Sequence, residues 1–246
     1  MKLQITIPTS LEEITLQQYQ KFLSIAKDNP DGEFLQHKMV EIFCGIDLKN
    51  AAKISYKDVN EITSNLSNLF NQKYELKRTF KLGDTEFGFI TNLDEITLGE
   101  YTDLDKHISD WDMMHNAMAV LYRPITKKLK DKYQIEEYNG SYTYCDAMKY
   151  APVDVVLGAV VFFLHFRQRI VEVYDTLFGE QQGISEYSKQ SQFGSKWGWY
   201  SSFYALAQGD VRRFEDVSRL RLSVALTFLT FEKEKNEIET ELIRSK

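Results

Sequence analysis

The sequence predicts a mainly α-helical protein, a multi-helix bundle with a minor β-sheet formed by an N-terminal strand plus one hairpin. Apolar residues recur at helical spacing over most of the chain, and several Ser and Thr residues stand where they would cap helices. Two short segments instead alternate apolar with polar residues, as strands do. With 43% hydrophobic residues among 246, the chain has enough apolar side chains to bury a sizeable core.

The first two elements are a strand and a helix. Apolar residues alternate over residues 2–7, which predicts a strand with one buried face, and Pro8 ends it. Thr15 is followed three positions later by Gln18, which is the pattern of a capping box. We therefore expect a helix from this point to about Ala26.

Two helices and a hairpin follow. One helix is predicted over Glu33–Cys44, ended by Gly45, and another over Ser55–Phe70, capped at its first residue. Between Tyr74 and Ile90 the apolar period changes to two on either side of a Gly83-Asp84 turn. This change predicts a β-hairpin.

The hairpin leads into a short internal repeat. Residues 91–101 (TNLDEITLGEY) restate residues 9–19 (TSLEEITLQQY), with seven identities in eleven positions. Two explanations are open, namely one helix-capping solution used twice and a duplicated strand-turn-helix unit. Under either explanation, two helices are expected to leave one small sheet in the same way.

The middle of the chain contains the most apolar segment. A helix is predicted over Asp110–Arg123, stopped by Pro124, and the lysine-rich segment Ile125–Gly140 is expected to be an exposed excursion with one short strand at Tyr133–Tyr138. The helix predicted over Pro152–Phe178 is apolar on all sides in its front half. We expect neighbouring elements to cover it on every side as the central core helix.

A Gly, Gln and Ser-rich segment, Gly179–Ser195, is predicted to be a linker. It would join a helical domain with the small sheet (residues 1–178) to a C-terminal part (residues 196–246). The C-terminal part is expected to contain an aromatic helix over Lys196–Ala207, a short connecting element over Phe214–Leu220 and a last helix from about Leu222.

The aromatic helix has two apolar faces, which one core cannot bury together. The first face is formed by Trp197, Tyr200 and Tyr204, and the second by Trp199, Phe203 and Leu206. One face is expected to contact its own domain and the other a partner protein, since large aromatic side chains often provide the binding energy of interfaces. Enclosure of both faces by neighbouring helices is the alternative.

The last helix carries a heptad seam with one polar interruption. The seam is formed by Val224, Phe228, Phe231, Lys235, Ile238 and Leu242. The final two turns are otherwise charged, so this helix is expected to project and bind a partner. The candidate partner-binding residues are Trp197, Trp199, Tyr200, Phe203, Tyr204, Phe228, Phe231, Ile238 and Leu242.

Composition argues against several functional classes. A net charge of −6 does not suit a general nucleic-acid binder. The densest basic group (Arg212, Arg213, Arg219 and Arg221) is interleaved with acids, which local ion pairing explains.

Two cysteines make no disulfide framework, and the apolar stretch Ala151–Phe166 is too short to cross a bilayer. The N-terminus lacks the apolar run of a secretory signal, so a cytosolic location is expected.

One cluster of residue types suits metal binding. It consists of Asp103, Asp105, His107, Asp110, Asp112 and His115. Helix capping and solvation explain the same residues without a metal. The chain contains no nucleophile motif and no glycine-rich phosphate loop, so we assign no catalytic residue, metal ligand or cofactor.

Three segments carry a family resemblance. They are the opening ITLQQYQKF, the central MMHNAMAVLYRP and the later WGWYSSFYALAQGDVRRFEDVSRL. In this order they resemble tailed-bacteriophage proteins of the tail-assembly chaperone group, and the likeness covers most of the chain. The resemblance implies a non-catalytic helical protein that binds the tape-measure protein or other tail components, with Gly179–Ser195 as the junction and Trp197–Leu220 as the distal part.

We therefore expect a non-enzymatic phage assembly or virion structural protein, present in the host cytoplasm during assembly or in the virion. Its expected partners are phage tail or virion proteins or copies of itself, with no specific nucleic acid and no membrane. A ring, adaptor or packaged cargo component of a short-tailed phage is the first alternative. The second is a metal-dependent hydrolase using Asp105, His107, Asp112 and His115.

Overall fold

A computed structural model describes residues 5–130, 132–178 and 196–245. Within these ranges the protein is mainly α-helical with one small antiparallel sheet, which confirms the predicted fold class. The helices are α1 (Leu16–Asp28), α2 (Glu33–Cys44), α3 (Leu48–Ala51), α4 (Tyr56–Phe70), α5 (Leu98–His107), α6 (Met114–Leu121), α7 (Cys145–Met148), α8 (Val153–Val173), α9 (Asp175–Phe178), α10 (Trp199–Leu206), α11 (Phe214–Ser218) and α12 (Leu222–Arg244). The strands are β1 (Thr79–Leu82), β2 (Thr85–Phe89), β3 (Tyr122–Leu129) and β4 (Lys132–Ile135).

The chain divides into two compact units. Of the described residues, unit 1 contains those within 1–89 and 107–162, and unit 2 contains those within 90–106 and 163–246. This division differs from the predicted one, because residues 90–106 and 163–178 belong with the C-terminal helices. The predicted linker Gly179–Ser195 lies outside the described residues.

The core of unit 1 is built by α1, α2, α4 and the start of α8. Aromatic rings connect these elements, since Phe43 of α2 packs 5.2 Å from Phe22 and 5.8 Å from Phe70, measured between ring centroids. The buried aliphatic side chains around them include Leu11, Ile14, Val40, Ile42, Val59, Leu66 and Val153. The capping pattern at Thr15 is realised, because its hydroxyl accepts from the Gln18 amide while the Gln18 side chain accepts from the Thr15 amide.

The sheet is an antiparallel meander in the order β1-β2-β3-β4. The predicted hairpin is confirmed as β1 and β2, in which Phe80 pairs with Phe87 around a turn where Gly83 has a φ of +57°. The predicted N-terminal strand is wrong in its described part, because residues 5–7 form no strand. The sheet instead contains β3 and β4.

Strand β3 begins where the sequence predicted the end of a helix. Helix α6 stops at Leu121, and Tyr122 pairs with Phe89 and donates its hydroxyl to the Lys77 carbonyl at 2.6 Å. The predicted helix therefore ends two residues early, at Leu121 and not at Arg123. The predicted exposed excursion with one short strand contains β4 near the expected place and also most of β3. Long-range pairing with β2 decides the conformation of this segment. No local sequence pattern predicts that pairing.

The repeat forms the same backbone connections in both units. In unit 1, the Leu16 amide donates to the Ala151 carbonyl and the Val153 amide donates to the Ile14 carbonyl, at 2.9 and 2.8 Å. In unit 2, the corresponding bonds join Leu98 to Leu220 and Leu222 to Ile96, both at 2.8 Å. Each copy thus holds the start of a long helix, α8 or α12. Both long helices also follow a short one, α7 or α11.

Helix α8 is long and apolar, as predicted, but its front half is not covered on every side. Val156 and Phe163 are fully buried, whereas Val161 and Phe162 are 37% and 38% exposed. Gly158 lies so close to the preceding chain that an added Cβ would be 2.1 Å from the Glu75 carbonyl oxygen. Glycine at this position is what allows the close approach.

Candidate protein-binding surface

Helix α10 begins at Trp199, after Gly198 with its φ of +43°, and not at the predicted Lys196. Its apolar side chains, together with Trp197, still form two different faces. Trp199, Phe203 and Leu206 are half-buried in unit 2. Trp197, Tyr200 and Tyr204 are 41%, 48% and 54% exposed. The prediction that one face contacts its own domain is therefore confirmed, and the second face is open.

The inner face is held by specific contacts within unit 2. The Trp199 indole donates a hydrogen bond from Nε1 to Asp105 Oδ2 at 3.0 Å, and its ring meets Tyr101 edge-on at 5.7 Å. Arg167 pairs with the other oxygen of Asp105 at 3.2 Å. Burial, together with the nearby Asp105 carboxylate, raises the pKa of Tyr101 to about 12. Trp199 and Phe203, both candidate partner-binding residues, thus contact their own unit, since the Phe203 ring also packs 5.8 Å from Phe214.

The open face forms an outer aromatic patch consisting of Trp197, Tyr200 and Tyr204. The Trp197 and Tyr200 rings lie 5.5 Å apart, and Tyr200 packs edge-on against Phe214 at 5.4 Å. The patch surrounds a cleft of about 280 Å³ that also includes Ser201. Because neighbouring rings already restrict Trp197 and Tyr200, covering these two side chains with a partner would cost less rotamer entropy.

The terminal helix α12 also has one covered and one open face. Leu222, Ala225 and Leu226 are buried, and the Lys233 ammonium donates to the Thr176 carbonyl. At 100° per residue, the heptad residues point away from this buried side. We call them the terminal seam: Val224, Phe228, Phe231, Lys235, Ile238 and Leu242. The five apolar members are between 38% and 60% exposed.

Some exposed apolar residues were not predicted. Ile243 is 74% exposed near the end of α12. The heptad pattern did not predict this exposure, because Ile243 does not follow the heptad spacing. Leu164 of α8 is 44% exposed, although its surroundings in the sequence indicated a fully covered helix. An apolar sequence alone does not reveal which side of such a helix lacks a neighbour.

The residues of the possible metal cluster make other contacts. Asp110 caps a short turn by accepting from the Asp112 amide, and Asp105 bonds to Trp199. The Nδ1 atom of His115 lies 3.2 Å from Gln20 Nε2. Across the described residues, no group of three or more His, Cys, Asp or Glu side chains is arranged to hold a metal ion.

The arginine group forms local ion pairs, as the sequence predicts. Arg212 contacts Asp210 at 2.9 Å, and Arg219 contacts Glu215 at 2.6 Å. Arg221 lies 3.6 Å from Glu95. These neighbouring carboxylates offset the positive charge that binding to a nucleic-acid phosphate backbone would require.

The fold and these surfaces define a mainly α-helical protein with two uncovered apolar helix faces in unit 2. Comparisons of the chain with protein-family models, curated proteins and solved structures find no match. In the described part of the chain, every helix is too short or too polar to cross a membrane.

Proposed function

We propose that this chain is a non-enzymatic assembly or virion structural protein of a tailed phage, with a role like that of a tail-assembly chaperone. The outer aromatic patch and the terminal seam would bind its protein partners. The observation that carries the proposal is that both surfaces are exposed on helices whose other faces already contact unit 2. The phage setting comes from the resemblance of the three sequence segments.

The physical argument begins with uncovered apolar area. Proteins that act alone seldom expose large contiguous apolar patches, and such patches usually mark interaction sites. Trp and Tyr are enriched among residues whose truncation costs about 2 kcal/mol or more of binding free energy. The outer aromatic patch presents two Tyr side chains of α10 together with Trp197, which lies just before the helix.

The proposed partners are tail or virion proteins, with copies of the same chain as a further possibility. The acidic chain and its paired arginines do not favour nucleic acid. A transient chaperone would act in the host cytoplasm during assembly. A ring, adaptor or packaged cargo component, which is the alternative, would stay in the virion.

The test uses the affinity-tagged full chain in cells infected by the phage that encodes it. We expect recovery of the tape-measure protein or another tail component. Replacing Trp197, Tyr200 and Tyr204 together by serine should abolish this recovery. The matched control replaces three still more exposed tyrosines of unit 1 by serine, namely Tyr56, Tyr142 and Tyr150, and should retain it.

Two further results decide between the alternatives. Finding the chain in purified virions at a fixed copy number would favour the ring, adaptor or cargo role over the chaperone role. If the chain is absent from virions and no tail component accompanies it, the proposed function is wrong. A gene position next to the tape-measure gene would support the chaperone role before any experiment is made.

A further inference from the structure

The terminal seam is bordered by carboxylates on both sides. On the helical projection of α12, Glu234 and Glu241 lie along one edge of the seam, and Glu232 and Glu239 lie along the other. Three of the four are exposed and Glu232 is half-buried. Of these four, only Glu232 has an ion-pairing partner among the described residues, namely Lys235 at 3.9 Å.

These borders oppose pairing with a second copy. In a parallel pair of helices, the residues on one edge face those on the other edge of the partner, and in an antiparallel pair each edge faces itself. In a parallel pair Glu234 would face Glu239 of the second copy, and in an antiparallel pair these Glu residues would meet along each edge. Like charges at these positions disfavour association, so the borders act against a homodimer through the seam.

Lys235 adds a second constraint because it occupies the middle of the apolar seam. It is exposed on the open face between Phe231 and Ile238. Once a partner covers the seam, the ammonium group loses water, and its 3.9 Å contact with Glu232 is too long for a hydrogen bond. A carboxylate opposite Lys235 would satisfy it. A polar residue at one core position of this kind sets the register between two helices.

We propose that the terminal seam binds one amphipathic helix of another protein, with an apolar stripe bordered on both sides by Lys or Arg. That helix carries an Asp or Glu opposite Lys235. The seam extends over residues 224–242, about 27 Å of helix, so the partner segment needs roughly 20 residues. This inference rests on the proposed protein-binding role and specifies the chemistry of the partner.

The test uses two synthetic helical peptides of about 21 residues with the same Leu and Ile stripe and a Glu placed opposite Lys235. One peptide has Lys at every bordering position, and the other has Glu. Fluorescence anisotropy with the full chain should show at least about 10-fold tighter binding of the Lys-bordered peptide, with a smaller preference at high salt.

Three variants of the full chain complete the design. Changing Glu232, Glu234, Glu239 and Glu241 together to lysine should invert the preference between the peptides. A control with the same change in net charge replaces Asp31, Glu33, Glu61 and Glu137 by lysine and should keep the preference for the Lys-bordered peptide. Replacing Phe231 and Ile238 by serine should weaken binding of that peptide by more than about 10-fold.

Several outcomes would overturn the inference. They are equal binding of the two peptides, binding of neither, inversion by the control variant, and a wild-type dimer in sedimentation that the Phe231 and Ile238 replacements abolish. The peptide result is independent of the infected-cell result. If the peptide test fails but tail components are still recovered, only the charged-border chemistry is refuted. If the peptide test succeeds but no tail component is recovered, only the phage role is refuted.

Discussion

The amide of Leu98 donates a 2.8 Å hydrogen bond to the carbonyl oxygen of Leu220, which lies far later in the chain. Leu16 makes the corresponding bond to Ala151 in the other unit. If the same capping pattern had arisen twice by chance, the two copies would not need matching hydrogen bonds to residues far away in the chain. The shared long-range bonds therefore favour a duplicated unit, in which the turn, its helix and the start of a second helix were repeated together.

The two caps of the repeat should contribute equally to stability. Replacing Thr15 or Thr97 by alanine removes the hydroxyl that accepts from the amide of Gln18 or Glu100. Each change should lower the free energy of unfolding by about 1 kcal/mol. Urea unfolding followed by circular dichroism measures it. The Thr240→Ala control, on the exposed end of α12, should stay within about 0.5 kcal/mol of wild type. Unchanged stability in both cap variants would contradict the structure.

The two tryptophans at the start of α10 should differ sharply. Trp199→Phe removes the donor to the Asp105 carboxylate, and a hydrogen bond to a charged group contributes about 2 kcal/mol. Trp197→Phe keeps an aromatic ring on the outer patch and should leave stability nearly unchanged. Thermal unfolding of both variants in the same buffer compares them. Equal melting temperatures would show that the inner and outer faces are wrongly assigned.

Gly158 offers a test in which a local rule and a tertiary contact oppose each other. Alanine in a helix interior usually stabilises by about 1 kcal/mol relative to glycine. At this position the new Cβ would lie 2.1 Å from the Glu75 carbonyl oxygen, so Gly158→Ala should destabilise by about 2 kcal/mol. Gln168→Ala, on an exposed side of the same helix, is the control for urea unfolding. A stabilised Gly158→Ala variant would disprove the close approach.

His115 should make stability depend on pH. Burial, with a smaller effect of the nearby Lys149, lowers the pKa of its imidazole below the ordinary 6.5. As pH falls through 6.5, the unfolded chain takes up a proton that the folded chain resists, so the free energy of unfolding decreases until the lower folded pKa is passed. His115→Gln should show a shallower decrease between pH 7.5 and 5 in urea titrations. Identical pH slopes for wild type and variant would refute this role.

Local patterns predicted much of the helical structure. Helix α2 ends at Gly45, which has a φ of +65°, and helix α1 begins at the Thr15 cap, because both features depend on residues a few positions apart. The split of α10 into an inner and an outer face follows from the 100° rotation per residue. The same periodicity identified the terminal seam, but it did not say which face of α10 contacts unit 2.

The sequence by itself determined the helices, their caps and the spacing of the apolar faces, since these depend on interactions within one or two turns. Tertiary structure decided that Tyr122 begins a strand, that residues 90–106 join the C-terminal helices, and which apolar faces stay uncovered. The physical reason is that strand pairing and burial depend on groups distant in the chain, whose meeting no short pattern specifies.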